Sequence, residues 1–218
     1  MMLVRDIMQV HPVTATAETR LFHLLRVLQQ RGFRHVPIVD GSRLVGIVSD
    51  RDVKQAMASA AMSVDGRERD RLLDGLTAGQ IMTRTVVTIG PMFGVEDAAR
   101  LMATRKFSAL PVTEGDRLVG IVTETDVLHL FVRAMGALEP SSRVDVILPG
   151  PRASLGEVVR LIEATGTLIS SVMTLEDSTG QREVMLRLAT IDPRPALLAL
   201  EAGSHKGRVT GRVATAPS

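Results

Sequence analysis

The chain contains no cysteine, no tryptophan and no tyrosine, and its five phenylalanines are the only large aromatic side chains it has. Without cysteine it has no disulfide framework, no thiolate nucleophile and no cysteine-ligated metal site. Without tyrosine and tryptophan it lacks the usual platforms on which single-stranded nucleic acid or sugars stack. Redox chemistry at cysteine is therefore excluded, and binding of single strands or sugars is disfavoured.

An excess of charge is also missing, because 26 Lys and Arg oppose 24 Asp and Glu for a net charge of +2. A basic footprint is typical of nucleic-acid-binding proteins, so no nucleic-acid partner is expected. No apolar run approaches the ~20 residues that span a bilayer, and the start lacks the profile of a signal peptide. We therefore expect a cytoplasmic protein with no membrane partner. With 23 arginines, three lysines and no asparagine, the composition is typical of a GC-rich bacterial genome.

Motifs that assemble a catalytic or metal site are missing too. The five histidines are scattered, and His-Glu-x-x-His, Gly-x-Ser-x-Gly and Gly-x-x-x-x-Gly-Lys-Ser/Thr do not occur. Nothing in the sequence brings a nucleophile next to a base. We therefore predict that the chain is not an enzyme, holds no metal and needs no obligatory cofactor.

What the sequence does contain is one pattern that occurs twice. The segment from Arg43 to Val48, Arg-Leu-Val-Gly-Ile-Val, recurs 74 residues later from Arg117 to Val122. Aligning residues 7–54 with 81–128 without a gap leaves 17 of 48 positions identical, too many for chance. Self-similarity at a fixed period indicates one supersecondary unit used twice, with the apolar face of each copy available to cover the other.

Each copy carries local signals for helices and a hairpin. In the first copy, leucines recur at helical spacing over 21–28. Two β-branched runs, 36–39 and 44–48, flank an Asp-Gly turn and predict a hairpin. A second helix follows, with Ser49 at its N-cap in the first copy and Thr123 in the second. The predicted unit is strand, helix, strand, strand, helix.

The order Ile-Met, Val-Thr, an apolar-Pro strand and Gly-Ile-Val-Ser/Thr-x-x-Asp resembles the cystathionine-β-synthase (CBS) domain, and the tandem resembles a Bateman module. The resemblance implies an α/β disc with pseudo-twofold symmetry and two clefts. Such clefts usually hold adenosine-containing ligands and regulate another activity. We predict CBS domain 1 at residues 1–60, a linker with a short helix at 61–79 and CBS domain 2 at 80–137.

The Ser/Thr-x-x-Asp turn suits a nucleotide. A helix N-terminus stabilises phosphate through free backbone N–H groups, and the Asp of its first turn can accept from two ribose hydroxyls. The Pro-containing strand of the same copy offers apolar walls to an adenine ring, so in the first cleft we expect Val36 and Pro37 to contact the base and Asp52 the ribose. The alternative is that the turn only caps its helix. The predicted nucleotide-binding residues are Thr14, Arg34, His35, Val36, Pro37, Ser49, Arg51, Asp52, Thr88, Ala109, Leu110, Pro111, Thr123 and Asp126.

The two copies differ where a phosphate chain is expected. The first copy carries Arg34, His35 and Arg51, whereas the second has neutral residues at all three aligned positions. We therefore predict that these three residues surround the phosphates of ATP or ADP in the first cleft. The second cleft is expected to take AMP, an adenosine compound with less charge, or nothing. A solvated basic face without a ligand is the alternative.

A different pattern begins after the second copy. Residues 141–213 give strand and helix signals in the order βαββαβ, the ferredoxin-like split. The turn Leu148-Pro149-Gly150 and the helix pattern after it resemble an ACT domain, in which Pro-Gly borders an amino-acid site at a subunit interface. Leu148 stands where a polar residue is common, so a domain that only dimerises is the alternative. Residues 214–218 are expected to form a disordered tail.

The predicted fold class is α/β (α+β), a tandem CBS pair followed by a ferredoxin-like, ACT-like domain. This layout is similar to the acetoin-utilisation AcuB-type proteins of bacteria. The expected function is regulatory: adenine nucleotides, namely ATP, ADP or AMP, bind in the clefts, and their state passes to an unknown regulated protein or to a homodimer. Two alternatives stay open, a structural scaffold with no nucleotide and an amino-acid sensor acting through the ACT-like domain.

Overall fold

The computed structural model describes residues 2–61, 73–148 and 154–213. They fall into two compact units, which divide between Val127 and Leu128. The middle of the predicted linker, the predicted effector residues Pro149 and Gly150, and the predicted tail at 214–218 lie outside the described residues. None of the helices described is long and apolar enough to cross a membrane.

The two sequence copies lie in the first unit, except that the last helix of the second copy crosses the boundary between the units. Each copy has the predicted helix, hairpin and second helix. The first copy contains a 3-10 turn Val4–Asp6, β1 Gln9–Val10, α1 Leu21–Arg31, β2 His35–Asp40, β3 Arg43–Ser49 and α2 Asp50–Ala61. The second copy contains the short helix α3 Ala78–Ile81, α4 Val95–Arg105, β4 Ala109–Glu114, β5 Arg117–Thr123 and α5 Glu124–Ala134.

The hairpins of the two copies share one register. In β2–β3 the antiparallel pairing shifts between Ile38 and Val39, and in β4–β5 it shifts at the aligned place. Gly41 and Gly115 form the turns with φ of 61° and 60°, a left-handed conformation that glycine adopts without strain. A bulge at the same place in each copy gives both hairpins the same local twist, so the ends of β3 and β5 leave their hairpins in equivalent directions.

The N-terminal segment of each copy pairs with the hairpin of the other copy. Gln9 of β1 pairs with Ile121 of β5, and the aligned Thr83 bridges to Ile47 of β3. This second bridge is closed by two backbone hydrogen bonds of 2.9 and 3.1 Å. The two copies have therefore exchanged their first segments, and the exchange obeys the same 74-residue symmetry as the sequence.

The exchange also completes the cores. Val4, from the start of the first copy, is buried with Leu110 and Val122 of the second. Its aligned residue Ala78, from the start of the second copy, is buried with Leu24 of the first. Neither copy buries its apolar residues alone, so the pair, and not the single copy, is the unit whose apolar burial stabilises the fold.

The second unit has the predicted ferredoxin-like order. Its elements are β6 Ser141–Leu148, α6 Leu155–Glu163, β7 Ile169–Glu176, β8 Arg182–Leu188, α7 Arg194–Ala202 and β9 Gly207–Val213. The four strands form one antiparallel sheet in the order β7-β8-β6-β9. Apolar residues of the helices, including Val158 and Leu200, are buried with Val146 and Leu186 of the two central strands.

Candidate functional site

The helix starts of α2 and α5 are built alike. Ser49 donates from its backbone N and from its Oγ to Oδ2 of Asp52, both at 2.7 Å, and the Asp52 backbone N donates to Ser49 Oγ at 3.2 Å. Thr123 and Asp126 repeat the three bonds at 2.8, 2.7 and 3.2 Å. Each pair is a reciprocal cap that satisfies backbone donors at the helix start.

The caps leave half of each carboxylate available. All the bonds to Asp52 and Asp126 reach Oδ2, and no donor among the described residues reaches Oδ1 of either. A carboxylate has about four acceptor positions, so Oδ1 retains capacity for a ligand. The capping alternative and the ligand hypothesis are therefore compatible, because they use different oxygens.

The first cleft, which contains the start of α2, is a cavity of about 530 Å³ formed by both copies. On one side lie Ser49, Asp50, Arg51 and Asp52 of the first copy. The facing wall comes from the second copy, and its residues include Thr85, Val86, Val87, Phe107, Ala109, Leu110 and Pro111. The same wall also contains the polar residues Thr83, Lys106 and Ser108. Apolar side chains combined with a few placed polar groups are typical of small-molecule sites.

The second cleft, which contains the start of α5, is smaller, at about 200 Å³. Its polar side is Thr123, Glu124, Thr125 and Asp126 of the second copy. Its facing wall comes from the first copy, and the residues include Gln9, Pro12, Val13, Phe33, Arg34 and His35. The two clefts are thus equivalent under the 74-residue symmetry.

The structure groups the predicted residues differently from the sequence. Sequence reasoning combined Asp52 with Val36 and Pro37 of the same copy, whereas the wall opposite Asp52 contains Leu110 and Pro111 of the other copy. Val36 and Pro37 are buried in β2 and line neither cleft. The reason is the exchange, because the first segment of the second copy pairs with β3 beside the start of α2 and brings its own copy's hairpin across the cleft.

Two other predicted residues also line neither cleft. Thr14 is exposed on the segment before α1. Thr88 lines a separate shallow depression together with Leu44 and Arg84. The remaining predicted residues of the first unit line one cleft or both. Sequence reasoning missed the Thr85–Val87 wall, because these residues carry no chemistry of their own and are brought to the cleft by the exchange.

Four residues line both clefts at once, and we call them the seam: Arg34, His35, Ser108 and Glu124. His35 Nε2 and Ser108 Oγ lie 3.2 Å apart, a hydrogen bond that joins the two copies. Burial lowers the pKa of His35 below its usual value, and the adjacent Arg34 lowers it further, against the opposing effect of nearby carboxylates. The imidazole is therefore neutral near pH 7.

The mouth of the first cleft is basic. An open extension of it is lined by Arg34, Arg51 and Lys54, with Asp50 among them. Lys54 donates to Asp50 at 3.0 Å, and this hydrogen bond holds the pKa of the Asp50 carboxyl below its usual range. Neither Arg34 nor Arg51 pairs with a carboxylate among the described residues, so both guanidinium groups are available to an anion. No cluster of three potential metal ligands occurs in the part of the chain that the structure describes.

Comparison with protein-family models matches the CBS domain to residues 4–59 and 78–133. Together these two segments make up about half of the chain. Each segment contains one Ser/Thr-x-x-Asp turn, and the two segments correspond to the two copies of the sequence repeat.

Similar solved structures include an acetoin utilization protein (AcuB) from Vibrio cholerae, with 30% identity and a TM-score of 0.54 over 62% of this chain and 94% of that one. The CBS domain pair of protein MJ0100, in complex with 5′-methylthioadenosine and S-adenosyl-L-methionine, has 32% identity and a TM-score of 0.51 over 60% and 99%. CBSX2 of Arabidopsis thaliana, in complex with AMP, has 27% identity and a TM-score of 0.51 over 60% and 96%.

Among curated proteins, a CBS domain-containing protein of Dictyostelium discoideum is 31% identical over 142 residues, which are 64% of this chain and 98% of that protein. An inosine-5′-monophosphate dehydrogenase of Korarchaeum cryptofilum is 31% identical over 128 residues, 58% of this chain but 23% of that enzyme. The chain thus spans less than a quarter of the enzyme's length, and nothing about the enzyme's chemistry follows from the match.

Proposed function

Because this chain belongs to the CBS domain family, we propose that its first unit is a regulatory sensor that binds adenine nucleotides in its two clefts. The observation that carries the proposal is the arrangement at the two helix starts. There a half-used carboxylate, Asp52 or Asp126, lines a cavity to which the other copy contributes both apolar and polar residues. The proposal assigns no catalytic step to the chain.

In the first cleft the nucleotide is placed by three kinds of contact. The adenine ring packs between Val86 and Pro111, the ribose hydroxyls donate to Asp52 Oδ1, and the phosphates lie toward Arg34 and Arg51. Charge-assisted hydrogen bonds to a carboxylate and a guanidinium are the stronger class of polar contact. The binding of 5′-methylthioadenosine, S-adenosyl-L-methionine and AMP by the related CBS proteins supports an adenosine ligand here.

The size and charge of the clefts distinguish their ligands. Small-molecule sites commonly enclose about 300–1,000 Å³, and the first cleft, at about 530 Å³ with a basic mouth, suits ATP or ADP. The second cleft, at about 200 Å³, lies below that range and has Thr125 in place of Arg51, so it suits at most AMP or an adenosine compound with less charge. We therefore assign the polyphosphate to the first cleft.

Regulation follows from the way each cleft is shared. A ligand touches both copies, so it can shift any equilibrium in which the copies move relative to each other. Equal affinity for the two arrangements shifts nothing, so the signal depends on unequal binding. We propose that the altered arrangement is read by a partner protein, whose identity is unknown, or by a homodimer of this chain. Light scattering at micromolar concentration tests the homodimer, and a monomer with and without nucleotide counts against it.

Calorimetric titration of the full chain with ATP, ADP, AMP and S-adenosylmethionine tests the proposal. The matched variant is Asp52→Asn, because the Asn amide oxygen still accepts from Ser49 and preserves the cap, while the negative charge at the ribose is lost. We expect heat with the wild type and a clear loss of first-cleft binding in the variant, with unchanged melting of the ligand-free protein. Absence of heat with all four ligands favours the scaffold alternative, in which the caps are only structural.

A further inference from the structure

The two clefts are adjacent cavities that have four lining residues in common. Arg34, His35, Ser108 and Glu124 belong to both walls. The hydrogen bond between His35 and Ser108, at 3.2 Å, holds the two copies together at this place. A ligand that extends from either cleft toward the seam therefore meets the same side chains.

The seam breaks the symmetry of the pair. Under the 74-residue alignment Arg34 corresponds to Ser108, so the two equivalent walls share one guanidinium where a symmetric pair has two. Glu124 corresponds to Asp50, which Lys54 neutralises at 3.0 Å. The position aligned with Lys54 is Leu128, and Glu124 forms no ion pair with any of the described residues. The seam thus offers one cation and one uncompensated carboxylate to two clefts.

We propose that the two clefts are coupled negatively through Arg34: a phosphorylated adenosine in one cleft lowers the affinity of the other cleft for a second one. This inference rests on the proposed function. A phosphate carries a charge of about −1.5 to −2 near pH 7, and the planar fork of one guanidinium engages one phosphate at a time. Among the described residues, Arg34 is the one Lys or Arg that lines the second cleft, whereas the first cleft also has Arg51 and Lys106. When the first cleft engages Arg34, a phosphate in the second cleft meets the first phosphate and Glu124 without a free cation, so its binding is opposed. Linkage makes this effect on affinity reciprocal.

The coupling depends on the phosphate and not on the nucleoside. Uncharged adenosine leaves Arg34 free, so two adenosine molecules bind independently. When one nucleotide and one uncharged adenosine compound bind together, no repulsion between phosphates opposes the second binding step. With both kinds of ligand present, the chain therefore favours mixed occupancy, and it responds to the two concentrations together.

Stepwise calorimetric titration of the full chain with AMP, and separately with adenosine, measures the coupling. Asp126→Asn and Asp52→Asn give the affinity of each cleft when the other is impaired. For AMP we expect the product of the two wild-type binding constants to fall roughly tenfold or more below the product from these two variants. For adenosine we expect the two products to agree. The deficit for AMP should shrink as salt rises, because screening weakens the repulsion.

Ser108→Arg supplies the second cation and should bring the AMP deficit close to zero, whereas the matched neutral variant Ser108→Gln should keep it. Two occupied clefts with no deficit for AMP overturn the inference and leave the proposed function intact. Occupancy that stops at one for both ligands also overturns it, because the second cleft then has no occupant. Absence of binding with either ligand overturns the proposed function itself.

Discussion

The starts of α2 and α5 have the same cap, but the residues around the cap differ in charge. Ser49 and Asp52 in the first cleft form the same three hydrogen bonds as Thr123 and Asp126 in the second, within 0.1 Å at each. Between the cap residues, Arg51 of the first copy is replaced by Thr125. The two copies therefore share the cap that fixes the helix start and differ in the charge beside it. Under the proposed function, this difference suits the two clefts to ligands of different charge.

Removing the carboxylate of Asp52 is expected to change the difference in ligand affinity between the two clefts more than any other substitution. In Asp52→Ala, the charged hydrogen bonds to the ribose disappear, each contributing roughly 1.5–3 kcal/mol, so first-cleft affinity should fall tenfold or more. The variant also loses the two bonds that the Asp52 carboxylate accepts from Ser49, while the backbone N of residue 52 still donates to Ser49 Oγ, so we expect a loss of about 0.5–1.5 kcal/mol of stability. Calorimetry with ATP and urea unfolding of the ligand-free protein measure the two effects separately.

The mirrored variant Asp126→Ala is the control for this prediction. It removes the same carboxylate half of the cap and should cost the same stability, but it should weaken the second cleft and leave ATP binding in the first cleft nearly unchanged. If the folded Asp52→Ala protein binds ATP as the wild type does, the assignment of the ribose to Asp52 is wrong.

The exchange between copies can be tested through the glycines of the repeated motif. A Cβ added at Gly120 would lie 2.7 Å from Met8 Sδ and 3.1 Å from the Gln9 carbonyl oxygen, both in the first segment of the other copy. We expect Gly120→Ala to destabilise the protein by about 1–3 kcal/mol, the usual cost of overpacking. Denaturant unfolding gives the value.

Gly90→Ala is the matched control, because no atom lies within 4 Å of the added Cβ there. Shortening the opposing side chain in Met8→Ala should recover part of the loss in the double variant with Gly120→Ala. If Met8→Ala brings no recovery, Met8 is not the residue that opposes the added methyl group.

The exchange marks the limit of what the sequence could predict. The hairpins, the caps and the ferredoxin-like order follow from local signals: β-branched runs, an Asp-Gly turn and a Ser/Thr before an acidic first turn. Local signals do not predict which strand pairs with a two-residue strand such as β1. The runs 43–48 and 117–122 have identical sequences, so residue identity offers β1 no preference between them. The path of the chain decides which strand pairs with β1. Sequence reasoning therefore combined Asp52 with β2 of its own copy, whereas the structure places β4 of the other copy at this cleft.

A smaller effect on affinity is expected when Arg51, which we assign to the polyphosphate of ATP, is removed. Arg51→Ala should erase the preference of the first cleft for ATP over AMP, because Arg51 lines the mouth beyond the ribose and has no carboxylate partner among the described residues. The expected loss for ATP is roughly three- to tenfold, while AMP affinity stays nearly constant. Competition titrations of ATP against AMP measure it.

The converse variant, Thr125→Arg, sharpens the same comparison. Placing a guanidinium at the aligned turn of α5 should raise the affinity of the second cleft for ADP or ATP, and rising salt should weaken the gain. A bound complex with the polyphosphate of ATP at Thr123 and directed away from Arg51 would show that the roles of the two clefts are reversed.

The smallest effect concerns the pH response of the seam, where the first copy has His35 and the second has Ala109. Burial and Arg34 lower the pKa of His35 from its usual 6.5, while Asp50, Asp52 and Glu124 act in the opposite direction. Below pH 6.5 the unfolded chain therefore binds more protons than the folded one, and the free energy of unfolding falls as pH falls through the pKa of the folded state. At pH values well above 6.5, this contribution of His35 to the stability is fully present.

We expect the wild type to lose more stability than His35→Gln between about pH 7.5 and 5.5, as measured by urea unfolding at each pH. Glutamine retains a group that can hydrogen-bond Ser108 but does not titrate, so the difference between the two proteins isolates the imidazole from the carboxylates that titrate in both. Equal losses would mean that His35 takes up its proton in the folded protein as readily as in the unfolded chain. The seam would then be open to water, and the desolvation that keeps this position neutral between the two clefts would be absent.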